Sequence, residues 1–222
     1  MNYAALVSEI QAYTQNYEPT FIANLPVFVQ QAEARVYNSV QIPPLRKNVT
    51  GYTTIGQKYL SCPTDFLSSF SLSVIDGSGN YTYLLNKDVN FLREAYPNAS
   101  SVGLPKYYSL FGPAVPAGVM TTELSFILGP TPDASYEMEL HYYYYPESIV
   151  TAGTSWLGDN YDPALLYGSL VEAYIFMKGE QDMMTYYEKK FQDALGQLNR
   201  LGTGLERGDA YRDGQARIKV AQ

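Results

Sequence analysis

One histidine, one cysteine and two closely spaced glutamates are the side chains of this sequence best suited to chemistry near neutral pH. A Ser-His-Asp or Cys-His centre would have to be built on His141. That residue falls on the polar side of an alternating run, Tyr136 to Tyr144, and reads as a solvated or interface histidine. Cys62, beside Pro63, reads as a small buried filler. A lone cysteine also excludes an intrachain disulfide and a cysteine-rich zinc site. A paired-carboxylate hydrolase needs only two acids that meet in the fold, and nothing marks such a pair: Glu137 and Glu139 share the outward side of the same run, the usual place for solvated charges. The segment Asp76-Gly77-Ser78-Gly79-Asn80 lacks the acid order and the later glutamate of a calcium loop, and reads as a hairpin turn. No glycine-rich phosphate loop follows a strand and opens a helix. These residues predict a protein that is not an enzyme, with no catalytic residue, no cofactor and no metal.

The composition points the same way. The formal net charge of −7 and the pI near 4.7 argue against sequence-specific nucleic-acid binding, which needs a basic face toward phosphates. The 46% hydrophobic and 17% charged content supports a packed core. No apolar run approaches the roughly 20 residues of a membrane span, and the first residues lack the basic start of a signal peptide, so a soluble protein made in a cytoplasm is expected. Tyrosine stands out: there are 22, one residue in ten. Tyrosine suits strands and also interfaces, where its ring and hydroxyl both find partners.

Apolar spacing then gives the elements that must position these residues. Tyr3, Leu6, Val7, Ile10 and Tyr13 predict a helix over 3–15. A second is expected to open at Asn24-Leu25-Pro26, with Ile22, Leu25, Val29, Ala32 and Val36 as its buried stripe. From about 45 to 145, short strands recur at 49–55, 59–61, 68–75, 81–85, 106–111, 122–128 and 136–144, with one short helix at 88–96. Asp162-Pro163 predicts a helix start with Asp162 as cap. Leu166, Leu170, Ala173, Tyr174 and Met177 supply its buried side. A last helix carries Met184, Tyr187, Phe191, Leu195, Leu198 and Leu201. The fold class expected is α+β: a helical bundle from 1–44 and 160–201, an antiparallel β-rich domain at 45–150 between them, and an extended arm at 202–222.

Residues 25–36, Leu-Pro-Val-Phe-Val-Gln-Gln-Ala-Glu-Ala-Arg-Val, resemble a helix of the head-to-tail adaptor (connector) proteins of short-tailed bacteriophages. That helix opens with hydrophobic-Pro-x-aromatic and continues to Ala-Glu-x-Arg. Similar segments follow in order: Leu60-Ser61-Cys62-Pro63-Thr64-Asp65-Phe66, Leu104-Pro105-Lys106-Tyr107-Tyr108, Leu128-Gly129-Pro130-Thr131-Pro132-Asp133 with the tyrosine run 142–145, and Asp162-Pro163-Ala164-Leu165-Leu166-Tyr167. The resemblance spans about residues 3–201. It implies a structural virion protein, commonly a dodecameric ring, that docks on the portal protein and holds a tail nozzle or tail tube protein. DNA would pass through the ring without sequence-specific binding.

Beyond Gly202 no further segment of this kind is read. The four basic and three acidic side chains of this stretch and its repeated glycines predict an arm that orders on a partner. By family analogy the arm reaches the portal, with Arg207, Tyr211, Arg212, Arg217, Ile218, Lys219 and Val220 as its contacts. The competing readings are another tail component, such as a nozzle subunit, and a glycan- or receptor-binding β module whose tyrosines stack on sugars.

Overall fold

The computed structural model describes residues 1–98, 100–112 and 124–205. The chain is α+β and divides into two compact units. One comprises Met1–Leu45 with the chain from Pro146 onward, and the other is Arg46–Tyr145.

The helical unit begins with α1 (Tyr3–Thr14), where Asn2 accepts a hydrogen bond from the Ala5 N–H at 2.9 Å and so caps the first turn. Helix α2 (Pro19–Ser39) starts earlier than the 24–26 signal suggested. Pro19 occupies the first turn, where its missing N–H is no loss, and Pro26 is carried inside the helix. The stripe shifts accordingly: Phe21, Leu25, Phe28, Val29, Ala32 and Val36 are buried, while Ile22 is exposed.

Two short helices that the sequence did not signal, α4 (Ile149–Ala152) and α5 (Trp156–Asn160), are each capped by a serine, Ser148 and Ser155. Helix α6 (Asp162–Phe176) has Asp162 as its first residue rather than its cap, which is Tyr161. It is buried over a wider face than one stripe, because α1, α2 and α7 (Gln181–Leu205) all pack on it. Gly168 of α6 is the close-approach point, since an added Cβ would lie 2.9 Å from the Ala32 Cβ and 3.0 Å from the Phe191 ring. Helix α7 runs past Gly202, where the arm was expected to begin, to Leu205. There Gly202 is buried, with no room for a Cβ beside the Ile42 side chain. Leu201, expected in the stripe, is exposed instead.

The β unit is a sandwich of two four-stranded sheets. The first has strands β1 (Arg46–Tyr52), β8 (Glu137–Tyr144), β3 (Phe66–Ile75) and β4 (Tyr81–Tyr83) in that order, all antiparallel. The second orders β2 (Tyr59–Ser61), β7 (Ser125–Gly129), β6 (Tyr107–Phe111) and β5 (Leu85–Asn86). The pair β5–β6 is parallel, which a tight turn cannot make; α3 (Val89–Ala95) supplies the crossover. Phe66, Leu72, Val74, Tyr108, Phe126, Leu128, Met138, Leu140 and Tyr142 fill the space between the sheets. Strand β7 is buried at every position rather than alternately. Leu92 and Tyr96, in and just after α3, lie against Gly129, so this strand has no solvated face.

Candidate functional site

The residues singled out for chemistry do not come together as a reaction centre. The His141 Nε2 lies 3.9 Å from Glu139 Oε1 and its Nδ1 lies 3.4 Å from the Ser71 hydroxyl, on a partly exposed strand face. Cys62 is buried and its thiol is pushed up to about 12 by desolvation, the opposite of an activated nucleophile. Asp76 accepts from the Ser78 and Asn80 backbone N–H groups at 2.8 and 2.9 Å, the geometry of a turn that closes on itself. Among the described residues, no group of three His, Cys, Asp or Glu could hold a metal ion.

What the quoted motifs do instead is hold elements in place. In the segment Ala-Glu-x-Arg, Glu33 is almost fully buried and accepts hydrogen bonds from the Ile149 N–H at 2.8 Å and the Ser148 hydroxyl at 2.6 Å. It therefore pins the start of α4, where the chain re-enters the helical unit. Arg35 donates to Glu188 of α7 at 2.7 and 2.8 Å and to Glu172 of α6 at 3.3 Å, with its guanidinium 4.5 Å above the Phe191 ring. One side chain thus ties α2 to α6 and α7, a task suited to the planar five-donor fork of arginine. Desolvation raises the Glu188 carboxyl, but the bonds from Arg35 and Gln192 outweigh it and hold the group below its ordinary range.

The Leu60–Phe66 segment acts similarly in the β unit. Asp65 accepts from the Tyr142 hydroxyl and the Lys47 ammonium, both at 2.8 Å, and its carbonyl accepts from the Tyr145 N–H at 2.9 Å. Burial pushes the Asp65 carboxyl up, yet those two donors bring it below its usual value; burial, then Asp65, push the Tyr142 phenol up to about 12. Tyr143, placed by alternation on the polar side, is buried. Arg46 donates to its hydroxyl at 2.6 Å and lies 4.3 Å over the Phe70 ring.

Glu33, Ser148, Glu172 and Glu188 were not named from the sequence as a set. The available signal was that Glu33 and Arg35 are the only charges in the 21 residues of α2, and a charge kept in an apolar helix needs a partner. The arm residues Arg207, Tyr211, Arg212, Arg217, Ile218, Lys219 and Val220 lie outside the described residues.

Glu33 carries a pH signature. Burial raises its carboxyl above the ordinary 4.5, and the bonds from Ile149 and Ser148 offset this only in part. The folded chain then holds a proton that the unfolded chain has released, so stability falls as pH rises from about 4.5 through the raised value. Glu33→Gln keeps an acceptor for Ile149 and removes the titration. Urea midpoints between pH 4.5 and 8 should therefore fall more steeply for the parent chain than for the variant, and parallel curves would refute this account.

Tyrosines divide between core and surface. Tyr37, Tyr108, Tyr142, Tyr143 and Tyr187 are buried, and Tyr13, Tyr17, Tyr52, Tyr81, Tyr83, Tyr145 and Tyr186 are exposed. No described helix is long and apolar enough to cross a membrane. Each unit is thus internally tied by these contacts and also exposes apolar and aromatic side chains. Among curated proteins none matches the chain. The sequence profile of the SU10 adaptor protein family matches residues 1–218, nearly the whole length, and the motifs that tie α2 and β3 in place fall within that match, so the chain belongs to this family of phage adaptors.

Proposed function

We propose that this chain is a structural, non-enzymatic subunit of a phage virion that closes into a ring, with dodecamer as the expected form, between the portal protein and a tail nozzle or tail tube protein. The observation that carries the reading is the family match across residues 1–218. A ring of identical subunits needs two different, complementary faces on each copy, and the exposed aromatics of both units suit such faces. DNA passes through the ring without sequence-specific contact, consistent with a net charge of −7 that offers phosphates no general attraction. The C-terminal arm contacts the portal through Arg207, Arg212, Arg217 and Lys219, with Tyr211, Ile218 and Val220 as apolar anchors.

Native mass spectrometry of the chain with the portal protein of its own genome tests this. One copy per portal subunit is expected, and a chain that ignores the portal refutes it. Deleting 206–222 should weaken portal docking while keeping the fold. The cut belongs after Leu205, because α7 continues to that residue and Gly202 is packed against Ile42. Undiminished docking of the truncated chain would rule out the arm as the portal contact.

A further inference from the structure

The β unit contains a recess of about 210 Å³ lined by two cations, Lys58 just before β2 and Arg93 on α3. Tyr96, Ser101 and Thr131 add hydroxyls, and Leu92, Ile127 and Leu128, all buried, add apolar wall. Among the described residues no carboxylate lines it, and neither Lys58 nor Arg93 takes part in a salt bridge. Lys58 is half-buried, and its ammonium lies 5.2 Å from the Tyr59 ring centroid, a contact that leaves the charge unneutralised. The acids nearby in sequence are engaged or turned elsewhere. Asp88 caps α3 by accepting from the Asn90 N–H at 2.7 Å, and Asp133 accepts from the Tyr136 hydroxyl at 2.6 Å. Glu94, beside Arg93 on α3, is exposed and is not part of the lining.

Several acceptors around the recess are already taken. The carbonyls of Lys58, Ser101, Gly129 and Thr131 accept from the Leu128, Thr131, Lys106 and Gly103 N–H groups. The Asn98 side-chain oxygen accepts from the Ser100 N–H at 2.9 Å. The Gln57 amide and the remaining carbonyls are neutral, so they cancel neither cation. The same bonds hold the walls in place. Gly129 lets α3 come down on β7, since an added Cβ would lie 2.7 Å from the Leu92 side chain and 3.3 Å from the Tyr96 ring. A recess whose walls are fixed in advance loses little freedom when a ligand enters, and two cations in a partly apolar recess act on an anion more strongly than they would in bulk water.

We infer that this recess binds a phosphate group, free or as a monoester, with Lys58 and Arg93 neutralising its two charges and the hydroxyls of Tyr96, Ser101 and Thr131 donating to its oxygens. A dianion matches two cations in a lining without an acid. The donors come from the approach to β2, from α3 and from the loops around Ser101 and Thr131. Donors on several sides suit a tetrahedral anion, whose oxygens point in several directions, whereas a carboxylate offers two oxygens in one plane. The diester phosphates of DNA carry one charge each with a sugar on either side, and they bind along a track of cations rather than in a single recess. The inference does not depend on the ring reading.

An NMR titration of the isotopically labelled full chain with inorganic phosphate tests it, at about pH 8 so that the phosphate is a dianion and with the ionic strength held constant by sodium chloride. Saturable shifts are expected at the backbone amides of Gly103, Leu128 and Gly129 and at the Arg93 guanidinium. Lys58→Gln and Arg93→Gln should each weaken binding about tenfold, the effect of losing one charge-assisted hydrogen bond. The double variant should lose saturation with its urea midpoint unchanged, since neither side chain leaves an ion-pair partner stranded. Glycerol phosphate separates the two sources of the ligand. Saturation by both compounds assigns the recess to phosphate groups including esters, and saturation by inorganic phosphate alone limits it to the free anion. Acetate that saturates the same amides as tightly as phosphate overturns the proposal in favour of a carboxylate. Shifts that only drift in proportion to added salt, or phosphate binding undiminished in the double variant, overturn it outright.

Discussion

Phe191→Ala should destabilise the helical unit by about 3–5 kcal/mol, the usual range for removing a buried aromatic side chain. Phe191 is 1% exposed and fills the space opposite Gly168, whose bare Cα lets α7 and α2 approach α6 together. Collapse of the cavity is blocked on three sides. The guanidinium of Arg35 caps the ring, the Ala32 methyl group is already in contact across Gly168, and the Glu172 and Glu188 carboxylates hold that guanidinium where it is. Trp156 of α5 is the single tryptophan of the chain and lies in this unit, so its fluorescence reports the transition directly. A fall in the urea midpoint followed by Trp156 is expected, and a loss under about 1 kcal/mol would show that Phe191 does not fill the space opposite Gly168.

Phe126→Ala should produce a loss of similar size, about 3–5 kcal/mol, in the β unit. Phe126 is fully buried on β7 and meets Phe66 of β3 edge-on at 5.6 Å and Tyr108 of β6 edge-on at 5.5 Å. The ring therefore joins the two sheets, and its removal leaves Phe66 and Tyr108 facing a void. Edge-on aromatic pairs add about 0.5–1.5 kcal/mol beyond area burial, so Phe126→Leu should recover only part of the loss. The signal belongs to the tyrosine near-ultraviolet circular dichroism, since the β unit has no tryptophan. A Phe126→Ala chain with unchanged tyrosine signal and midpoint would refute the claim that this residue joins the sheets.

Neither Phe191 nor Phe126 is a reacting group. The chain's charged motif residues are engaged in holding helices and strands at fixed positions. An adaptor that must present constant surfaces to other virion proteins has use for that rigidity, whereas the groups most suited to catalysis, His141 and Cys62, are left half-exposed on a strand and buried in an apolar core.

Much of this was legible in the sequence because it depends on local periodicity. The helices other than α4 and α5, the strand run between them, the hairpin at Asp76–Asn80 and the α+β class follow from apolar spacing and turn residues, which act over a few positions. The order of the family motifs was legible too, since it needs no structure. What the sequence could not supply is which neighbour each face meets. Helix α6 is buried beyond a stripe because three helices converge on it, and β7 has no wet face because Leu92 and Tyr96 lie against it. Tyr143 turns from a polar position into a buried one because Arg46 and Phe70 enclose it. Pro26 failed as a start signal because Pro19 already occupied the first turn, and Gly202 failed as a stop because its missing Cβ is a packing contact with Ile42. The pairings of Glu33 with Ser148 and Ile149 and of Arg35 with Glu172 and Glu188 span 115 to 153 residues. Local sequence encodes the need for such partners, since charge in an apolar helix is costly alone, but only the tertiary fold chooses them.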